Sequence, residues 1–460
     1  MAQHNLTRED FLRAAALGGA ALTMPGFLAA CGGDDDDEGA ATQATTGAAG
    51  QLSGDLRIIQ WSHFVPAYDE WFDNTYITRW GEENNVNVIV DHVAFADLPA
   101  RAAAEVSAQQ GHDLFWFLSP PAAFEDQVID HQDIVDEVKR QVGGDMITVC
   151  DRSTFNPKTE KRFGFSDNWV PDPVHWRKDL WDEAGFEPNT WDDVLQAGPK
   201  LKAAGNPLGI GISQDIDANM ALIAQMMCFG SFIQDEESNV TINSPETIEA
   251  VNFMADVYKQ GMTPEVLSWD ASSNNRFYVA GKGSMILNAI SAVRTLEDEG
   301  SELADVTGLS PIPEGPAGRQ GLEHVLGVYV IWKFAKNQEA AKKFLIDLAI
   351  GYKEAFVESK FYNFPSFPAT VPDLKELVQT DDTATPPDKY AILGTFEDFS
   401  VNVGYPGYTT AAIDEVFGKF IIPQMFAQAA RGSMSAEDAV SAAESQITQI
   451  FDKWREQGKI

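Results

Sequence analysis

Leu56-Arg57-Ile58-Ile59-Gln60-Trp61 and Val86-Asn87-Val88-Ile89-Val90 are two short β-rich runs, separated by a stretch at 68–84 with helical patterning. Branched side chains favour extended backbone, and parallel strands need a long crossover between them. The three pieces therefore open a βαβ unit. A second helical stretch, 98–110, leads into a third strand, Asp113-Leu114-Phe115-Trp116-Phe117. Strands and helices that alternate in this way predict a parallel α/β sheet. Ligands of such sheets sit beyond the carboxyl ends of the strands. That rule marks Trp61, Ser62 and His63, and then Trp116 through Ser119, as candidates for the rim of a cleft.

A second α/β region begins after Phe163-Gly164-Phe165-Ser166. Asn189-Thr190-Trp191-Asp192-Asp193-Val194-Leu195 carries an N-cap signal before a helix that ends near Ala203-Ala204-Gly205. The strand Leu208-Gly209-Ile210-Gly211-Ile212 then meets the polar turn Ser213-Gln214-Asp215, where a helix starts that runs to about Phe229. Asp215 is thus expected at a strand end and a helix start together. Helices are predicted at 247–261, 275–281 and 338–350, the last with Ala341, Phe344, Leu345 and Leu348 on its apolar face. Strands are predicted at 284–287 and 325–332, and the tail after Ala411 is expected to be largely helical. No fixed-period repeat interrupts this order.

The N-terminus has a different character. Arg8 and Arg13 flank a short polar head, residues 14–28 are apolar and small, and Leu28-Ala29-Ala30-Cys31 closes the run. This is the three-part layout of a signal peptide. An apolar run of about fifteen residues is too short for a helix across a hydrocarbon core of roughly 30 Å. Leu28-Ala29-Ala30-Cys31 resembles the lipobox of bacterial lipoproteins, which implies lipid on Cys31 and anchoring on the extracytoplasmic face of the cell membrane. Residues 7–13 resemble a twin-arginine export motif, but Glu9 stands where the second arginine belongs, so the export route stays open. Gly32-Gly33-Asp34-Asp35-Asp36-Asp37-Glu38 and the Ala, Thr, Gly and Gln that follow, as far as Ser53, cannot build a core and are expected to form an acidic tether.

The remaining chain of roughly 430 residues exceeds what one core usually supports, so two lobes are expected. Hydrophobic residues make up 44% of the chain, enough to fill them. The net charge of −36 makes nucleic acid an improbable partner. A saline habitat, general solubility and a cationic ligand are all compatible with that acidity. Cys150 and Cys228 either pair or remain separate buried thiols.

Several phrases together resemble the family 1 extracellular solute-binding proteins, whose relatives include maltose-binding protein. They are Asn189-Thr190-Trp191-Asp192-Asp193, Val279-Ala280-Gly281-Lys282-Gly283-Ser284-Met285, Pro311-Ile312-Pro313-Glu314-Gly315-Pro316, and Asn337-Gln338-Glu339-Ala340-Ala341-Lys342-Lys343-Phe344-Leu345. The resemblance implies two α/β lobes with a solute closed between them, a periplasmic-binding-protein-like fold with crossing hinge segments. It also implies delivery to the permease of an ABC importer, by a protein expected to act as a monomer. Glycine and proline suggest crossings at 163–167, 281–285 and 363–368. Lobe 1 would then hold 54–165 and 285–365, and lobe 2 would hold 166–284 and 366–460.

A sugar presents hydroxyls around an apolar ring face, so its sites combine flat aromatic surfaces with groups that donate and accept hydrogen bonds. Trp61, Trp116, Trp169 and Trp269 are the platform candidates, while Trp176, Trp181, Trp191 and Trp332 read as core or lobe-surface positions. Ser119, Asp215, Asn219, Asn288 and Ser291 are candidates for the hydroxyls, helix capping being their alternative role. No catalytic motif with a nucleophile elbow, zinc pair or phosphate loop is present, and no cofactor or metal is expected. Two other readings remain open. A polyamine or similar cation would suit aromatic faces with carboxylates, and an exported glycoside hydrolase would use paired carboxylates.

Overall fold

The computed structural model describes residues 52–460. The expectations for residues 1–51, including lipidation of Cys31, lie outside the described residues. Among these no helix is long and apolar enough to cross a membrane.

Strands follow in chain order as β1 (Asp55–Trp61), β2 (Asn87–Val93), β3 (Leu114–Phe117), the hairpin β4 (Phe155–Asn156) and β5 (Lys161–Arg162), β6 (Phe165–Trp169) and β7 (Val174–Arg177). After them come β8 (Leu208–Gly209), β9 (Met285–Leu287), β10 (Thr307–Ser310), β11 (Gly321–Leu322), β12 (Leu326–Ile331), β13 (Phe364–Pro365) and β14 (Ser400–Val401). The first sheet has the order β13-β6-β12-β3-β1-β2. β1 runs parallel to β2 and to β3, as the opening pattern predicts. β12 is antiparallel to both β3 and β6, so the sheet is mixed. The second sheet has the order β10-β7-β9-β8, with only β8 and β9 parallel.

Each sheet carries its own core. Ile58, Phe115, Phe165, Val328 and Phe344 lie in the first; Val174, Trp191, Leu222, Met285 and Phe426 lie in the second. Ile216, Phe399 and Trp454 touch both. Cys150 and Cys228 are free and buried in different cores, so no disulfide links the lobes.

The local signals largely hold. Thr190 caps the Trp191–Ala203 helix in a capping box: its side chain accepts from the Asp193 backbone at 3.1 Å, and Asp193 accepts from the Thr190 backbone at 3.0 Å. The apolar 338–350 pattern is the helix Gln338–Ile350. The helical stretch before β2 is broken by a π turn at Phe72–Tyr76, and the expected strand at 208–212 pairs only over β8.

The crossings fall elsewhere than glycine and proline suggest. β6 belongs to the first sheet, β9 to the second and β13 to the first. By strand pairing and core membership the chain passes between the cores at 170–173, 323–325 and 397–402, while Ala289, Ile290 and Val293, just after β9, also pack into the first core. Each misleading residue has a packing role instead. A Cβ on Gly164 would stand 2.5 Å from Val328 Cγ1, and one on Gly283 would overlap the Phe277 ring. These glycines permit close approach, while Pro365 sits on an edge strand, where a missing N–H is tolerated. Lobe 1 thus extends through Trp169 and resumes at Val325.

Candidate functional site

The two parallel strands β1 and β3 end side by side and bring Trp61 and Trp116 together. Their rings stack with centroids 5.9 Å apart at 11°. Trp116 donates its indole N–H to Asp167 Oδ1 at 3.0 Å, and Asn168 donates to Asp167 Oδ2 at 2.8 Å. Burial raises the Asp167 carboxyl to about 6. Gly327 on β12 makes room for this group, since a Cβ there would lie under 3 Å from Asn168, Asp167 and Trp116.

His63 extends the same wall, its ring 5.0 Å from Trp61 and 4.8 Å from Tyr362. Burial lowers it to about 4, so it is neutral. Nδ1 accepts from the Val65 backbone N–H at 2.9 Å, which leaves Nε2 to donate to Asn363 Oδ1 at 3.3 Å.

A separate polar cluster lies on lobe 2 and the crossings. Asp215 caps the helix Ile216–Cys228, accepting from the Ala218 backbone at 3.1 Å and from the Ser213 hydroxyl. Asn274 donates to Asp217 Oδ2 at 2.7 Å, Asn275 donates to Ser291 Oγ at 2.9 Å, and Asn288 donates to Asn275 Oδ1. At the hinge, His324 Nδ1 lies 3.0 Å from Asp172 Oδ1 and Nε2 3.5 Å from Asp217 Oδ1. Lobe 1 meets this cluster through Tyr362. Its phenol is pushed up by burial, and further by Asp217 and Asp172.

Of the predicted residues, Trp61 and Trp116 belong to the aromatic group and Asp215, Asn288 and Ser291 to the polar cluster, each 8% exposed or less. Ser119 follows β3, half-buried. Three others fall elsewhere. Trp169 packs on Phe364 and lines a small apolar pocket with Ile147, Pro368, Leu374 and Leu393, within the lobe 1 core. Asn219 is fully buried inside lobe 2 and donates to the Phe417 carbonyl at 2.9 Å. Trp269 rests half-buried on Phe277, in a small satellite cluster. Trp181, Trp191 and Trp332 are core residues, as expected, and Trp176 is buried with them.

Sequence reasoning missed Asp172, Asp217, Asn274 and His324. Asp217 alone offered a signal, two residues after the cap. Asp172 and Asp217 join Asp215 in the polar cluster, and each of the three is engaged by an amide, a hydroxyl, a backbone N–H or His324. A concavity of about 630 Å³ lies at the opposite ends of β1 and β2, beside Asp55 and Asn87. It is lined by no aromatic ring. Among the described residues no group of three His, Cys, Asp or Glu side chains can hold a metal ion.

Residues 64–348 match the family described as bacterial extracellular solute-binding proteins. A Brucella abortus protein described as a binding protein is 26% identical over 177 residues, 37% of this chain and 43% of that protein. A Deinococcus radiodurans protein described as an ABC transporter-binding protein is 23% identical over 163 residues, 33% of this chain and 39% of that one. The match thus spans less than half the length of these curated relatives. Among solved structures, maltose-bound MalE3 of T. maritima superposes with a TM-score of 0.70 at 20% identity, over 86% of this chain and 100% of that one. A sugar transporter of Arthrobacter chlorophenolicus A6 with bound laminaribiose does so with a TM-score of 0.71 at 17% identity, over 86% and 99%. At these identities the likeness establishes the two-lobed fold.

Proposed function

Because the chain belongs to the bacterial extracellular solute-binding protein family and therefore works outside the cytoplasm, we propose that it captures a carbohydrate between its lobes. It then hands that solute to the permease of an ABC importer while lipid on Cys31 holds it at the membrane. The observation that carries the sugar reading is the Trp61–Trp116 pair at the carboxyl ends of β1 and β3, in a chain whose second lobe and crossings carry a cluster of amides, hydroxyls and engaged carboxylates. Flat rings take the apolar face of a pyranose, and the polar groups take its hydroxyls. Relatives of the same fold were solved with maltose and laminaribiose bound.

The family binds solutes rather than transforming them, and the paired carboxylates serve hydrogen bonding here. A polyamine would need carboxylates without partners. The experiment is a thermal-shift screen of neutral sugars against polyamines. A sugar at a hundred times its dissociation constant should stabilise the protein by about 2.7 kcal/mol. A shift with polyamines alone would overturn the sugar assignment.

A further inference from the structure

His324 occupies a position that solute capture alone does not explain. It lies in the crossing at 323–325, and its backbone N–H donates to the Val170 carbonyl of the crossing at 170–173 at 2.7 Å. Its ring reaches in two directions. Nδ1 faces Asp172 on the neighbouring crossing at 3.0 Å, and Nε2 faces Asp217 at 3.5 Å, in the first turn of the Ile216–Cys228 helix of lobe 2. A neutral imidazole has one N–H, engaged by Asp172; only the imidazolium turns a second N–H and a positive charge toward Asp217, whose carboxylate stands 3.5 Å away as an ion pair rather than a hydrogen bond. The ring is 4% exposed, so water does not substitute for the missing donor.

We propose that His324 is a proton-dependent clasp: as an imidazolium it ties the paired crossings to lobe 2, and on losing its proton it lets the lobes part. Closing rearranges contacts at such crossings, so a tie present only in one protonation state shifts the open–closed balance. A solute would then be held more tightly in acidic surroundings and released more readily in alkaline ones. This consequence rests on capture between the lobes; the clasp itself does not depend on what is captured.

The groups around it act in one direction. Burial works against the charge on His324, but Asp172, Asp217 and Asp215 outweigh it and raise the imidazole above its ordinary value of 6.5. Burial, with Asp215 and Asp172 close by, pushes Asp217 up to about 7, against the pull of His324 and the hydrogen bond from Asn274. On the β7 side His175 is kept neutral, lowered to about 3 by burial, and from lobe 1 Tyr362 faces the same carboxylates. The closed form therefore binds more protons than a form in which the cluster is opened to water, from about pH 4 upward. Its stabilisation is present at low pH and lost as pH rises through the raised values. His63 and His131, buried and lowered to about 4, act with the opposite sign, but only as pH falls below 6.5. His92 and His112, both in lobe 1 and paired with carboxylates, are also raised, so a variant at the clasp is needed for comparison.

The test is small-angle scattering of the full chain without solute between pH 6.5 and 8.5. The radius of gyration should rise with pH in the wild type and stay flat in His324→Gln, whose folding is checked by its melting curve. Where that variant does not fold, Asp217→Asn serves instead and should cut the rise. A wild-type radius independent of pH, or a rise retained in full by the variant, overturns the proposal. If the clasp responds as expected and no sugar shifts the melting temperature, the sugar assignment falls alone. If sugars bind and the radius ignores pH, the clasp falls alone.

Discussion

Trp61, Trp116 and Trp169 look alike in sequence, each at or next to the end of a strand of the first sheet, yet they have different fates. Trp61 and Trp116 come from adjacent parallel strands and stack on each other, whereas Trp169 ends β6, between β12 and β13, and is held against Phe364. Trp61→Ala and Trp116→Ala should each reduce the sugar-induced shift, measured against the melting point of the same variant without sugar. Trp169→Ala should leave that shift unchanged and cost about 3–5 kcal/mol of stability in denaturant unfolding, as truncation of a buried tryptophan does. A lost sugar response in Trp169→Ala would return it to the site. The residues that sequence reading missed share one property: their roles depend on partners far away in the chain. His324 meets Asp172, 152 residues earlier, and Asn274 meets Asp217, 57 residues earlier. Neither pairing leaves a local pattern, whereas the cap role of Asp215 does.

At the scale of elements, local chemistry predicted what local chemistry determines. The capping box at Thr190 and the Gln338–Ile350 helix needed no tertiary information, because hydrogen bonds and periodicity three and four residues apart specify them. Crossings are different, since glycine and proline mark close packing and edges as readily as hinges, and only strand pairing tells them apart. The Ser291–Asp298 helix shows how firmly two such regions can be joined. Arg294 on this helix pairs with Glu297 at 3.0 Å and Asp381 at 2.7 Å, and its guanidinium lies 3.7 Å over the Tyr390 ring. Its side chain is 3% exposed, with Lys389 completing the network on Glu297 at 3.2 Å. Removing one partner of a buried ion pair leaves the other charge without compensation. Arg294→Ala should therefore lower stability by about 3–5 kcal/mol, read as a lower denaturant midpoint at unchanged slope. A midpoint within error of the wild type would mean that Glu297 and Asp381 find water.

At the scale of the whole molecule, the sequence separates a folded body from the stretch before it, and the proposed function needs both. A two-lobed body that captures solute is useful to an importer only if it stays near the permease. The proposed device is lipid on Cys31, the residue that closes the apolar run at 14–28. A single acyl chain gives marginal, reversible membrane binding, and stable anchoring takes a second signal. A second positive patch is an unsuitable signal here, because residues 34–38 are Asp-Asp-Asp-Asp-Glu and the chain carries −36 overall, which anionic headgroups repel. An anchor proposed at Cys31 would therefore need more than one acyl chain there. Expressed with its signal in a bacterial host, the wild-type protein should partition into the detergent phase, and Cys31→Ser should remain in the aqueous phase with the same melting temperature. Equal aqueous partitioning of the two proteins would remove the anchor, leaving capture between the lobes untouched.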